Sequence, residues 1–120
     1  IVTWGAMVHV ALEAAENVSN RGIEVEVVDL RTLVPFDAET CIKSVLRTGR
    51  LIVLQESQWT GGFGHTISSR IIEESFWGLE TPPVVIGALD TPVPFSPTLE
   101  DHTIPSVDVV SRHIDRACAK

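Results

Sequence analysis

Arg50-Leu51-Ile52-Val53-Leu54-Gln55-Glu56, continuing into Ser57-Gln58-Trp59-Thr60-Gly61-Gly62-Phe63-Gly64, decides how this chain folds. Arg50–Gln55 is too short and too rich in β-branched and apolar side chains for a helix. With no polar alternation, it reads as a strand covered on both faces. The glycines after it permit a tight turn. From about Gly64, Ile67, Ile71 and Ile72 then recur at helical spacing, and Gly78 stops the run. Strand, glycine turn and helix in succession make one unit of a parallel α/β sheet.

The same unit repeats outward from this stretch. Upstream, Ile23–Leu30 reads as a strand, and Asp37 caps a helix whose apolar side is Ile42, Val45 and Leu46. Glu39 lies in its first turn, Lys43 and Arg47 lie toward its last, and Gly49 follows, so each charge suits the helix dipole. Further upstream, Ile1–Trp4 is strand-like. Met7, Ala11, Ala14 and Val18 then form one stripe that Asn20 and Gly22 end. Downstream, Val84–Ala88 is a fourth strand, and Ser106 opens a last helix through Val110, Ile114, Ala117 and Cys118. The order β-α-β-α-β-α-β-α implies a three-layer α/β/α domain with a doubly wound, mainly parallel sheet. Right-handed crossovers favour strand order 2-1-3-4. The whole of residues 1–120 is read as one domain, and a chain opening on a strand is expected to be a fragment of a longer one.

Asp90–Pro105 breaks the repetition. It carries four prolines (Pro92, Pro94, Pro97 and Pro105) and shows no periodicity. A connection this long is either an interfacial segment or a passive strap.

Composition narrows the partners. Nine Lys and Arg against sixteen Asp and Glu leave a net charge of −7. That excess disfavours nucleic acid and anionic membranes and suits a basic protein partner. No apolar run approaches the ~20 residues of a membrane helix, so no membrane partner is expected. Cys41 and Cys118 lie among apolar helix positions without metal-ligand spacing, which points to reduced thiols and to no metal site.

No catalytic constellation emerges. The histidines are His9, His65, His102 and His113, and none has an evident partner in a reaction. Glu56, at the end of the third strand, is the best acid–base candidate. No second titratable group is placed to pair with it, so a structural role at the glycine loop is preferred. Asp29 ends the second strand, where a dinucleotide fold keeps its ribose-binding acid. The first turn, however, reads Trp4-Gly5-Ala6-Met7 and lacks the glycine fingerprint of a pyrophosphate site. The loop Thr60–Gly64 admits three readings: a protein interface through an exposed Phe63 beside Trp59, internal packing, or an anion cradle at a helix N-terminus. It is no Walker loop, because no Lys-Ser or Lys-Thr follows.

Taken together, Asp29-Leu30-Arg31-Thr32, Pro35-Phe36-Asp37, Thr48-Gly49-Arg50-Leu51, Glu56, Thr60-Gly61-Gly62-Phe63-Gly64, Leu79-Glu80-Thr81-Pro82 and Asp90-Thr91-Pro92-Val93-Pro94 resemble one family in order and spacing. That family is the C-terminal domain of the beta subunit of 2-oxo acid dehydrogenase decarboxylases, among the transketolase-like thiamine enzymes. The resemblance covers essentially the whole chain. Three positions depart from it: His65-Thr66 stand where relatives often have Ala-Glu, and Gln55 stands where many have an acid or a histidine.

The resemblance implies an assembly and docking domain rather than a catalytic one. Thiamine diphosphate and Mg2+ would belong to the parent enzyme, between its alpha subunit and an N-terminal pyrimidine-binding domain absent here. None of this chain's residues would then be catalytic, and the isolated piece would be inactive and prone to self-association. Trp59, Gly61, Gly62 and Phe63 would lie at a subunit interface with the alpha subunit or a second beta subunit. Glu80 would help dock the basic subunit-binding domain of the dihydrolipoyl acyltransferase core. Asp29, Arg31, Glu56 and Asp90 would be structural. The segments Glu73–Phe76 and Asp90–Pro92 lean toward a branched-chain 2-oxo acid, with pyruvate next. The location implied is the cytoplasm of a bacterium or the mitochondrial matrix of a eukaryote. Two other readings remain: a free-standing nucleotide- or phosphate-binding domain using Gly61-Gly62-Phe63-Gly64, and the C-terminal domain of another transketolase-like enzyme.

Overall fold

Side chains along the third strand alternate between two cores, and that alternation makes the layers. In the computed structural model, which describes residues 1–119, this strand is β3 (Ile52–Gln58). It pairs in parallel with β1 (Val2–Thr3) and β4 (Val84–Ala88), and β1 pairs in parallel with β2 (Val28–Asp29). The sheet order is β2-β1-β3-β4, as expected. Ile52 and Leu54 join Ile86 in a core closed by Met7, Ala11, Ala14 and Val18 of α1 (Met7–Ser19) and by Val110 and Ile114 of α5 (Val107–Cys118). Leu51 and Val53 join Val2 in the opposite core. That side is closed by Cys41 and Val45 of α2 (Ala38–Thr48) and by Ile67 and Ile71 of α3 (Phe63–Ser75). Helices therefore cover both faces of the sheet.

Local signals place the helix ends. Asp37 accepts the backbone N–H of Thr40 at 3.0 Å and caps α2, and Gly49 closes it in the left-handed region at φ 70°. Ser106 accepts from the Val109 N–H and opens α5. Burial drives the Cys41 thiol up to about 11, as suits a packing residue. Both cysteines are free thiols.

Four expectations need correction. Ile23–Leu30 yields only Val28–Asp29 as paired strand, because its one neighbour, Ile1–Thr3, offers so short a ladder. The strand at Arg50–Gln55 instead runs on to Gln58. Five residues of β3, Leu54 to Gln58, pass opposite three of β4, Ile86 to Ala88, so β3 bulges there. The inner face of α2 is Cys41, Ser44 and Val45, whereas Leu46 is exposed and Ile42 half-buried. The packing phase thus follows the small side chains that let α2 approach the sheet. Finally, Asp90–Pro105 is not wholly irregular. Pro97 occupies the first turn of a short helix, α4 (Pro97–Thr103), which buries none of its own residues and so has no stripe to read.

Candidate functional site

Gln55 shares the face of β3 that carries Val53, next to the start of α3, and is fully buried. Its Oε1 accepts the Gly64 N–H at 2.6 Å, and its Nε2 donates to the carbonyls of Gln58 at 2.8 Å and Ser57 at 3.4 Å. The loop glycines answer two different needs. Gly61 stands at φ 72°, a conformation that side chains resist. Gly62 and Gly64 need space instead. A Cβ would stand 1.7 Å from Gln55 Nε2 at position 62 and 2.6 Å from Gln55 Oε1 at position 64. The structural role read for Glu56 therefore falls to its neighbour. Glu56 itself is exposed and borders an open hollow of about 360 Å3 with Gln58, Leu89, Val93 and Thr103. Alternation along β3 puts Gln55 on the face of Val53, under α3, and Glu56 on the opposite face, where it is exposed.

From Gln58 the chain turns out to the rim. The Trp59 N–H bonds the Ala88 carbonyl at 2.9 Å, and its indole N–H donates to the Val85 carbonyl at 3.0 Å. His65 packs edge-on against that indole at 4.7 Å and donates from Nε2 to the Trp59 carbonyl at 2.8 Å. Asp90 accepts both the backbone N–H of Thr60 at 3.0 Å and its hydroxyl at 2.6 Å. Those bonds, the hydroxyl's first, hold the Asp90 carboxyl below its usual range. Gln58 Nε2 adds a bond to the Thr91 carbonyl at 3.2 Å. The loops after β3 and β4 are thus fastened into one rim at the C-terminal end of the sheet.

That rim faces outward with apolar side chains. Trp59 is half exposed, and Leu89, Val93, Phe95 and Leu99 of the following segment are exposed as well. Phe63 is not the exposed tip that the sequence suggested. It is half-buried, packed on the core between α2, α3 and the sheet, because α3 begins at that residue and turns it inward. The exposed apolar residues of 89–99 escaped the sequence reading. Their one signal was Val93 and Phe95 alternating with Pro92 and Pro94, where no helix or strand could bury them.

The loop offers little to an anion. The N–H groups of Thr60, Gly62, Gly64 and His65 all have protein acceptors, and the Asp90 carboxylate stands beside them. Among the described residues no cluster of His, Cys, Asp and Glu has the arrangement of a metal site.

Other singled-out residues lie apart. Asp29 pairs with Arg31 at 2.8 Å at the end of β2, beside a hollow shared with Gly5 and His9. Glu80 precedes β4 and so sits at the end of the sheet away from Trp59. Its backbone N–H bonds the Gly49 carbonyl, and its carboxylate pairs with Arg50 at 2.9 Å while staying well exposed. Arg50 is itself steadied by the carbonyls of Ala117 and Thr48. Leu46, which lies against Gly78, is exposed, as are Phe76 and Trp77 shortly before Glu80 in the chain.

Comparison with known proteins agrees with this architecture. Residues 1–110 match the family described as transketolase, C-terminal domain. The beta subunit of acetoin:2,6-dichlorophenolindophenol oxidoreductase from Cupriavidus necator is 48% identical over 106 residues, covering 88% of this chain and 31% of that one. The pyruvate dehydrogenase E1 component subunit beta of Rickettsia conorii is 39% identical over 118 residues, covering 98% of this chain and 36% of that one. Its counterpart in Bacillus subtilis is 46% identical over 96 residues. A solved structure titled split gene transketolase, inactive beta4 tetramer, superposes with a TM-score of 0.76 at 29% identity, covering 97% of this chain and 36% of that one. The chain spans about a third of the length of the relatives it matches.

Proposed function

Because this chain belongs to the family of transketolase C-terminal domains, we propose that it is the assembly domain of a beta subunit in a thiamine-dependent dehydrogenase. The parent enzyme would decarboxylate a 2-oxo acid, or cleave a related acyloin, and pass the acyl group to lipoyl-lysine. The observation that carries this reading is the rim. Its loops are tied to each other by buried and paired polar groups, while Trp59, Val93 and Phe95 are left facing outward. A rigid backing with exposed aromatic anchors is what a subunit interface needs. Relatives named as beta subunits support this reading over transketolase itself.

Thiamine diphosphate does not fit this rim. Its phosphates need free donors or a metal, and the loop's N–H groups are largely engaged next to a carboxylate. We place the cofactor, with Mg2+, on other parts of the parent enzyme. The same facts weigh against the reading as a phosphate-binding domain. We favour pyruvate or acetoin over a branched-chain acid, following the names of the relatives. The exposure of Glu73, Glu74 and Phe76 on the outside of the domain also gives them no closed pocket in which to select a side chain.

At the opposite end, Glu80 is proposed to dock the basic subunit-binding domain of the acyltransferase core, sharing its carboxylate with Arg50. Because the Glu80 side chain is well exposed, its pair with the half-buried Arg50 adds little folding stability, and the acid is available for recognition. Glu80→Lys in the complete enzyme is expected to weaken that association about tenfold at low salt, with the difference shrinking as salt rises. Calorimetric titration at two ionic strengths measures it. Unchanged affinity at low salt would remove Glu80 from the dock.

A further inference from the structure

Gln55 is a buried polar side chain that joins three segments. Its carboxamide touches the bulge of β3 through the carbonyls of Ser57 and Gln58, and the start of α3 through the Gly64 N–H. It also nears β4 at Gly87, where a Cβ would stand 3.0 Å from Gln55 Nε2 and 2.9 Å from the Ser57 carbonyl. Gly62, Gly64 and Gly87 leave room for this one side chain. Only a neutral amide can donate to the two carbonyls and accept from the N–H at once. A carboxylate lacks the donor and a methionine lacks both.

The carboxamide is one residue from the surface it supports. The Gln58 carbonyl that it holds belongs to the peptide leading into Trp59, and Trp59 in turn bonds Ala88 and Val85 of β4. We propose that Gln55 is the positioning residue of the rim: its carboxamide fixes where Trp59 and Thr60 stand against α3 and thereby sets the rim's affinity for a partner subunit. This rests on the reading of the rim as a subunit interface. The buried Gln55 never meets the partner and acts through the backbone of its own chain. Held polar groups behind a contact surface lower the cost of ordering it on binding.

Gln55→Glu tests this, because it turns the support into a proton switch. Buried among carbonyls, the new acid has its pKa raised. Protonated, it can still donate to Gln58 and accept from Gly64; ionised, it faces the carbonyls without a donor. In the complete polypeptide, amide exchange at residues 59–65 is expected to match the parent at pH 5 and to run about tenfold faster or more at pH 8. Self-assembly, followed by sedimentation, is expected to weaken over the same range. Gln55→Met, of similar volume, is expected to loosen the same amides at both pH values. Equal protection of residues 59–65 in all three chains would overturn the proposal. So would a loss spread evenly over the whole sheet, which marks a core residue with no special hold on the rim. Trp59→Ala separates the two claims: if it leaves assembly intact while Gln55→Glu still loosens the loop, the interface reading fails and the positioning role stands.

Discussion

Gly62→Ala is expected to lower unfolding stability by about 3 kcal/mol, several times the loss from Gly61→Ala, although the two glycines are neighbours. Gly62 has an ordinary extended backbone, with φ −69° and ψ 147°, so conformation does not demand glycine there. Space does. The added carbon would stand 1.7 Å from Gln55 Nε2 and 2.6 Å from the Gln58 carbonyl. Since the carbonyl is backbone, the glutamine must move, and its bonds to Gly64 and Gln58 go with it. Overpacking of a core costs ~1–3 kcal/mol and stranding buried polar groups adds ~1–3 kcal/mol. Gly61 presents the reverse case: φ is 72° and no atom lies within 4 Å of its missing Cβ. Alanine there meets only backbone strain, about 1 kcal/mol, and asparagine less. Urea titration of both variants measures the contrast. Equal losses would mean that the carboxamide does not hold the loop.

What could be read in the sequence was whatever repeats or caps. Met7, Ala11, Ala14 and Val18 announced α1 and are all buried, and Asp37 and Gly49 marked both ends of α2. The unbroken apolar run Leu51–Leu54 announced a central strand, and with it the sheet order. What stayed hidden depends on where the cover over each face ends. Gln55 follows Leu51 and Val53 on the face under α3 and is buried, whereas Glu56, on the other face, is exposed, and an apolar pattern does not mark that limit. Helix α4 makes no buried contact of its own, so its residues carry no stripe. Within the site, Trp59 and Asp90 were singled out for their neighbourhood in sequence, and the bond from Thr60 to Asp90 joins the two loops as one surface. Phe63 misled because an aromatic residue among glycines suggests an exposed tip, whereas the first turn of α3 aims it at the core.

The most direct test of the rim as a fastening surface is the assembly constant of the complete enzyme, measured by sedimentation for the parent and for Trp59→Ala. Losing a half-exposed tryptophan at the centre of an interface is expected to weaken assembly by at least about tenfold. An assembly constant that stays at the parental value while thiamine-dependent turnover disappears would contradict the account, placing Trp59 in the chemistry and not in the joint.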